Sequence, residues 1–156
     1  MNKTTNQLIG EIRSTQELLT SLLNSVAVDQ DWQPAPEEWS FRFVAAHLAT
    51  VDKECYQDRV VRIAGGENPY FDSYFNTDRD FSKFELPDSL HAWAVTRQEI
   101  IAFVSNLSEK QFSLTGTHAA FGTLTVQRVL KLMLDHDQEH IRDLEKLISV
   151  HNSRIH

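Results

Sequence analysis

The stretch Phe121 to Leu147 reads FGTLTVQRVLKLMLDHDQEHIRDLEKL and carries one stripe almost from end to end. Val126, Val129, Met133, Leu144 and Leu147 recur at three- and four-residue steps, and His136 and His140 fall on the same line. Such spacing puts side chains on one face of an α-helix. The pattern predicts a helix from near Gly122-Thr123 to about Val150, with two imidazoles among its inward residues.

Three more segments repeat the pattern. From about Thr5 to Val26, the residues Leu8, Ile12, Leu19, Leu22, Leu23 and Val26 share a stripe. Pro34 and Pro36 then break the helix. Ser40 is suited to cap a second helix ending near Ile63, ahead of Gly65-Gly66, with Val44, His47, Leu48, Val51 and Cys55 inward. A third helix is predicted after Pro87, from Asp88 or Ser89 to about Asn106, with Leu90, Trp93, Arg97, Ile100, Ile101 and Val104 on one side. Strand-like alternation is scarce. Four amphipathic helices must bury their stripes against one another, so the expected class is all-α, a four-helix bundle in a single domain. The link from Gly66 to Pro87 is aromatic enough to pack over the bundle. At roughly 3.3 Å per residue it is also long enough to cross a ~30 Å bundle from end to end.

Composition narrows the function. The 156 residues carry a net charge of -7, which disfavours nucleic acid as a partner. No apolar run is long enough to span a bilayer. The N-terminal residues lack the apolar core of a signal peptide. The single cysteine, Cys55, fits a reducing compartment, so a cytoplasmic protein is expected.

His136 and His140, four residues apart, lie about 40° apart in azimuth and ~6 Å along the axis. Both rings can reach one ion at Zn–N distances of about 2.0–2.1 Å. The bland alternative is one core histidine bonded to a neighbour and one surface histidine. Two inward rings on adjacent turns would each need a polar partner, and a cation satisfies both together. His47 adds a third inward histidine from another helix, and bundle cores build metal sites from facing helices. Three nitrogens with an open position is the pattern of a catalytic zinc site. HDQEH also matches the H-x-x-E-H peptidase pattern, with Glu139 or Asp137 as base. Too little chain follows His140 to bring a further ligand, however, and both acids lie roughly 100° off the ligand azimuths, as second-layer or solvent-facing charge. Of the remaining histidines, His151 lies ~16 Å along the axis and out of reach. His91 and His156 are expected in solvent. His118, in the polar loop from Ser108 to Phe121, could hang over a bundle mouth and touch a substrate.

Trp32, Pro36, Trp39-Ser40, the AAHL run at Ala45–Leu48 and the Phe121–Leu147 stretch, taken in order, resemble the DinB/YfiT-like family of small metal-binding four-helix bundles. The resemblance implies an up-down-down-up bundle, consistent with the long second connection. It implies a divalent-metal triad of His47, His136 and His140, with zinc or nickel as the usual ion, and dimers are common in the family. Characterised relatives use a low-molecular-weight thiol such as bacillithiol, mycothiol or glutathione. Many others are described only as metal-dependent hydrolases.

Three functions follow as expectations. The first is a metal-dependent thiol S-transferase acting on a small molecule. A metal would hold the thiol as thiolate, and the thiol would come from outside, since Cys55 lies ~12 Å along the axis from His47. Arg97 is a candidate clamp for a thiol's carboxylate, with snorkelling to the bundle end as its ordinary role. Trp39 and His118 are further candidate contacts. The second is a hydrolase activating water at the same open position. The third is a non-enzymatic metal-binding bundle.

Overall fold

The structure is a computed structural model describing residues 2–155. Helix α1 spans Lys3–Ser25, and Asn2 caps it by accepting from the Thr5 N–H. Helix α2 spans Phe41–Val51, and the Ser40 hydroxyl accepts from the Phe43 N–H as its composition predicts. The chain stays helical through a π-turn at Asp52–Tyr56 and continues as α3, Gln57–Ala64. Helix α4 spans Leu86–Ser105, a short α5 spans Glu109–Ser113, and α6 spans Val126–Ile155.

Side-chain contacts fix the helix directions. Arg42 bridges Asp31 and Glu85, Asp52 meets Trp93 and Arg97, and Gln57 meets Glu99. Residue numbers therefore rise together along α2–α3 and α4, which run parallel. Thr5 meets Gln127 and Thr15 meets Asp137, so α1 and α6 are parallel as well. Arg97 reaches the Ile12 carbonyl while Leu19 and Leu23 pack near Leu86 and Leu90, so α1 and α4 oppose each other. This is the up-down-down-up bundle, and the link from Gly66 to Glu85 makes the crossover.

The all-α bundle class stands, and two helix starts need correction. Helix α4 begins at Leu86, with Pro87 inside its first turn, where a missing N–H costs nothing. Helix α6 begins at Val126, because Gly122–Leu124 is a strand. The class is all-α apart from a small sheet that periodicity over such short runs does not reveal. Its strands are β1 (Tyr70–Phe71), β2 (Gly116–His118) and β3 (Gly122–Leu124), in that order. β1 pairs parallel to β2, Phe71 opposite His118, and β2–β3 is a hairpin with His118 opposite Gly122. Gly116 fits closely, since a Cβ there would sit 3.0 Å from the Pro69 carbonyl oxygen, tighter than side chains ordinarily pack. The sheet joins the long crossover to the loop before α6 and so holds His118 against the bundle.

The apolar core falls into two clusters. One gathers Leu8, Ile12, Ile63, Ile100, Val104 and Leu130. The other gathers Leu19, Leu23, Phe41, Leu86, Trp93 and Leu144. Between them lies a polar layer centred on Arg97, which is 1% exposed. Its Nε and Nη2 donate to Asp52 at 2.8 and 3.3 Å, and its Nη1 and Nη2 donate to Asp137 at 2.9 and 3.2 Å. Nη1 also donates to the Ile12 carbonyl at 3.1 Å. Thr15 donates to Asp137 and the Trp93 indole donates to Asp52.

Replacing one partner of such a cluster leaves charges buried without compensation. Arg97→Met is therefore expected to destabilise the protein by about 3–5 kcal/mol, read as a lower urea midpoint at unchanged slope. A loss below about 1 kcal/mol would show that the layer contributes no more than an exposed ion pair.

Candidate functional site

His47 lies near the middle of α2, and His136 and His140 lie on adjacent turns of α6. The fold brings their Nε2 atoms together. His136 Nε2 is 3.3 Å from His47 Nε2 and 3.0 Å from His140 Nε2. All three atoms lie within 4.8 Å of one another. A cation with M–N distances of about 2.0–2.1 Å needs N···N separations of roughly 2.9–3.4 Å for angles between 90° and 109°. The two shortest separations fall in that range.

Protons alone do not satisfy the arrangement. His47 Nδ1 is 2.7 Å from Asn76 Oδ1. The Asn76 amide is oriented by its own donation to Thr50 Oγ1, whose hydroxyl donates to the Ala46 carbonyl. Nδ1 of His47 therefore carries the hydrogen, and Nε2 presents a lone pair. His136 Nε2 can donate to only one of its two neighbours, so one close N···N contact stays unmatched. A cation accepting all three lone pairs removes the conflict.

The environment keeps the rings neutral. Burial lowers His47 to about 4, although Asn76 pulls it upward. Burial, with His140 and His47 adding to it, lowers His136 to about 3. His140 is also lowered by burial, while Asp143 and Asp137 oppose the shift. Trp39, half-buried, packs on two of the rings, with centroids 4.9 Å from His47 and 6.0 Å from His140.

Two cavities flank the triad. One of about 440 Å³ is lined by Trp39, His136 and His140 with Glu38, Glu139 and Asp143. The other, about 280 Å³, is lined by His47, His136, Tyr56, Arg59, Asn76 and His118, among others. His136 belongs to both walls.

Of the further candidates, Trp39 and His118 each line a cavity at the triad. Arg97 does not: it is neither a free clamp nor a snorkelling side chain, because all five of its N–H groups are taken inside the bundle. Asp137 is no solvent-facing charge either. It is 1% exposed and bonded to Arg97. Glu139 is exposed, Cys55 is buried with its thiol pushed up to about 11 by desolvation, and His91 is exposed. His151 stays away from the triad, bonded to Asp29 at 3.0 Å. His156 lies outside the described residues. Sequence reasoning missed Asn76, Asp52, Tyr56 and Arg59. An acid at Asp52, four residues after inward Leu48 and facing a stripe that contains Arg97, was a usable signal. Asn76 sits in the crossover, where no periodicity marks it.

Comparison with known proteins places the chain. The family model described as the DinB superfamily matches residues 11–144. The chain belongs to the DinB superfamily. Among solved structures it is similar to YfiT from Bacillus subtilis, at a TM-score of 0.80 and 19% identity, over 97% of this chain and 90% of that one. That protein is described as a probable metal-dependent hydrolase with an unusual four-helix bundle topology. At this identity the likeness establishes the shared fold. No curated protein matches the chain.

The histidine shifts make the metal-free protein pH-sensitive. An unfolded histidine takes up its proton near 6.5, whereas folded His47 does so only near 4 and His136 near 3. Between those values the unfolded state binds more protons, so stability rises with pH. The metal-free protein is expected to lose stability as pH falls from about 6.5 toward 4.5. His136→Leu should make that slope shallower in urea titrations across the same window. An equal slope in the variant would mean that His136 titrates normally.

Proposed function

We propose that this chain is a divalent-metal-dependent enzyme, with His47, His136 and His140 as the metal ligands, and that it acts on a small-molecule substrate by hydrolysis. The observation that carries the proposal is the convergence of three Nε2 atoms, from buried His47 and half-buried His136 and His140, with one ring's Nδ1 proton committed to Asn76. A divalent cation, zinc or nickel on this donor set, supplies Lewis acidity and lowers the pKa of whatever ligand takes its open position. The chain's residues do the rest. Asn76 holds the His47 tautomer, and Trp39 holds the rings of His47 and His140 in place. Asp137 locks α6 through Arg97, so that His136, its neighbour in sequence, faces the bundle.

A second reading, thiol S-transfer, has its own support. Two cavities meet at His136, so a thiol and an electrophile could approach from different sides. Cys55 is buried with a raised pKa, so the thiol would be a separate low-molecular-weight molecule. A non-enzymatic metal-binding role is less well supported, since no fourth side chain joins the cluster among the described residues and cavities adjoin it. No helix among the described residues is long and apolar enough to cross a membrane. The net negative charge supports a partner other than nucleic acid. A cytoplasmic setting rests on the unpaired buried cysteine, and a homodimer rests on the family resemblance alone.

Purified protein is expected to hold about one metal ion per chain, and His140→Ala to lose most of it while keeping its helicity. Asn76→Ala should weaken metal binding about 10–100-fold, with Asn76→Asp restoring much of it, as competition with a chromophoric chelator would show. Binding unchanged in Asn76→Ala would remove the tautomer from the account.

Activity separates the two enzyme readings. Metal-loaded protein is expected to cleave activated esters or amides without added thiol, and His136→Ala should abolish the turnover. Consumption of thiol by an electrophile, with no cleavage in its absence, would instead select S-transfer.

A further inference from the structure

The 280 Å³ cavity holds polar groups that the metal site does not use. His118 is 3% exposed, and its Nδ1 accepts from the backbone N–H groups of Ala120 and Phe121 at 2.9 and 3.2 Å. Those two donors fix the neutral ring as the Nε2–H tautomer. That N–H has no protein acceptor among the described residues. Arg59 is 6% exposed and spends one N–H on the Asp72 carbonyl at 3.2 Å. Its guanidinium lies 5.4 Å from the Phe71 ring centroid, and no carboxylate pairs with it among the described residues. Tyr56, 8% exposed, lines the same cavity, and its hydroxyl likewise lacks a protein partner among the described residues. Phe75 and Phe121 also line the cavity and are 77% and 50% exposed, which gives it an apolar rim.

The unpartnered donors of His118 and Tyr56 keep accessible surface, so a ligand in the cavity can reach them. Here a cation, an imidazole N–H and a phenol O–H line one small cavity beside His47 and His136, with no carboxylate lining it. We propose that Arg59, His118 and Tyr56 form an anchor for a substrate carboxylate, with Phe75 and Phe121 holding the substrate's apolar body. The substrate class is therefore an apolar organic acid or a derivative that retains a free carboxylate. The metal centre of the proposed function supplies the chemistry on such a substrate, and this inference rests on that reading for turnover but not for binding. Each member is a substrate-binding residue.

Tyr56 closes the π-turn and Arg59 follows it in α3; the turn's wider spacing carries the Gln57 N–H back to the Asp52 carbonyl. His118 is held by the sheet, opposite Phe71 on one side and Gly122 on the other.

Calorimetry with phenylacetate and its uncharged analogue phenylacetamide tests the anchor, on both metal-free and metal-loaded full-length protein. The acid is expected to bind at least about tenfold more tightly than the amide in both forms, the scale of one charge-assisted hydrogen bond. Arg59→Met and His118→Asn should each lose about tenfold in acid affinity, and Tyr56→Phe about threefold, with a smaller loss for the amide and metal content unchanged. His118→Asn keeps an acceptor for the two backbone N–H groups and replaces the ring's Nε2–H with a shorter amide that does not reach as far into the cavity, so it decides the matter if Arg59→Met does not fold. Equal affinity for acid and amide, no binding of either, or unchanged acid affinity in both Arg59→Met and His118→Asn would overturn the anchor. Acid binding confined to metal-loaded protein and insensitive to Arg59→Met would place the carboxylate on the metal, overturning the anchor while leaving the metal centre standing. Acid preference in a protein that binds no metal would do the reverse.

Discussion

Arg97 sits at the centre of the bundle with a fixed positive charge, and everything around it answers to that fact. A guanidinium has five N–H groups in a rigid fork and cannot shed its proton. Taken out of water, it must find an acceptor for each of them. Asp52 and Asp137 supply four and the Ile12 carbonyl the fifth. These partners belong to the α2–α3 rod, α6 and α1, so one side chain on α4 ties all four helices at one level. Burial pushes the Asp52 carboxyl upward, while Arg97 and the Trp93 indole pull it back. A cluster of this kind adds little net stability over a well-packed apolar layer. Its physical effect is on register, since a slip of any helix by one residue would strand a charge.

The register is what the histidine triad needs. Asp137 follows His136 directly, so fixing the rotation of α6 at Asp137 also fixes the azimuths of His136 and His140. Asp52 lies five residues after His47, so the same cluster fixes the second rod beside the site. The cluster also acts on the triad through its charges: Asp137 favours positive charge at His140, whereas Arg97 disfavours it at His136. The polar layer and the triad together separate the two apolar clusters, so the core has a polar waist at mid-height.

Much of this was legible in the chain. Stripe periodicity fixes the four helices, Ser40 marks a cap, and the twenty-residue scale of the crossover allows two consecutive rods to run parallel. The triad follows from inward histidines at helical spacing. The buried charges were harder to read because charged residues are taken as outward by default, and Arg97 was accordingly expected to clamp a ligand or to snorkel. The readable clue was pairwise: Asp52 and Arg97 are opposite charges on facing stripes, and each makes sense only with the other. Asn76, β1, β2 and β3 depend on contacts between segments distant in sequence. Runs of two or three residues have too few alternations to declare a strand.

The crossover thus does more than reverse the usual up-and-down connection. Because it must travel the length of the bundle to start α4 beside the start of α2, it passes the open side of the triad. There it delivers Asn76 to His47, Phe75 to the rim of the smaller cavity and, through β1, a sheet edge on which β2 can dock. His118 reaches that cavity only because β2 has an edge to pair with. The same topological choice that made the long link necessary therefore furnishes the walls of the site. The bundle helices contribute the three converging histidines, the crossover and its sheet contribute Asn76, Phe75 and His118, and none of these last three belongs to the polar layer that keeps the histidines in place.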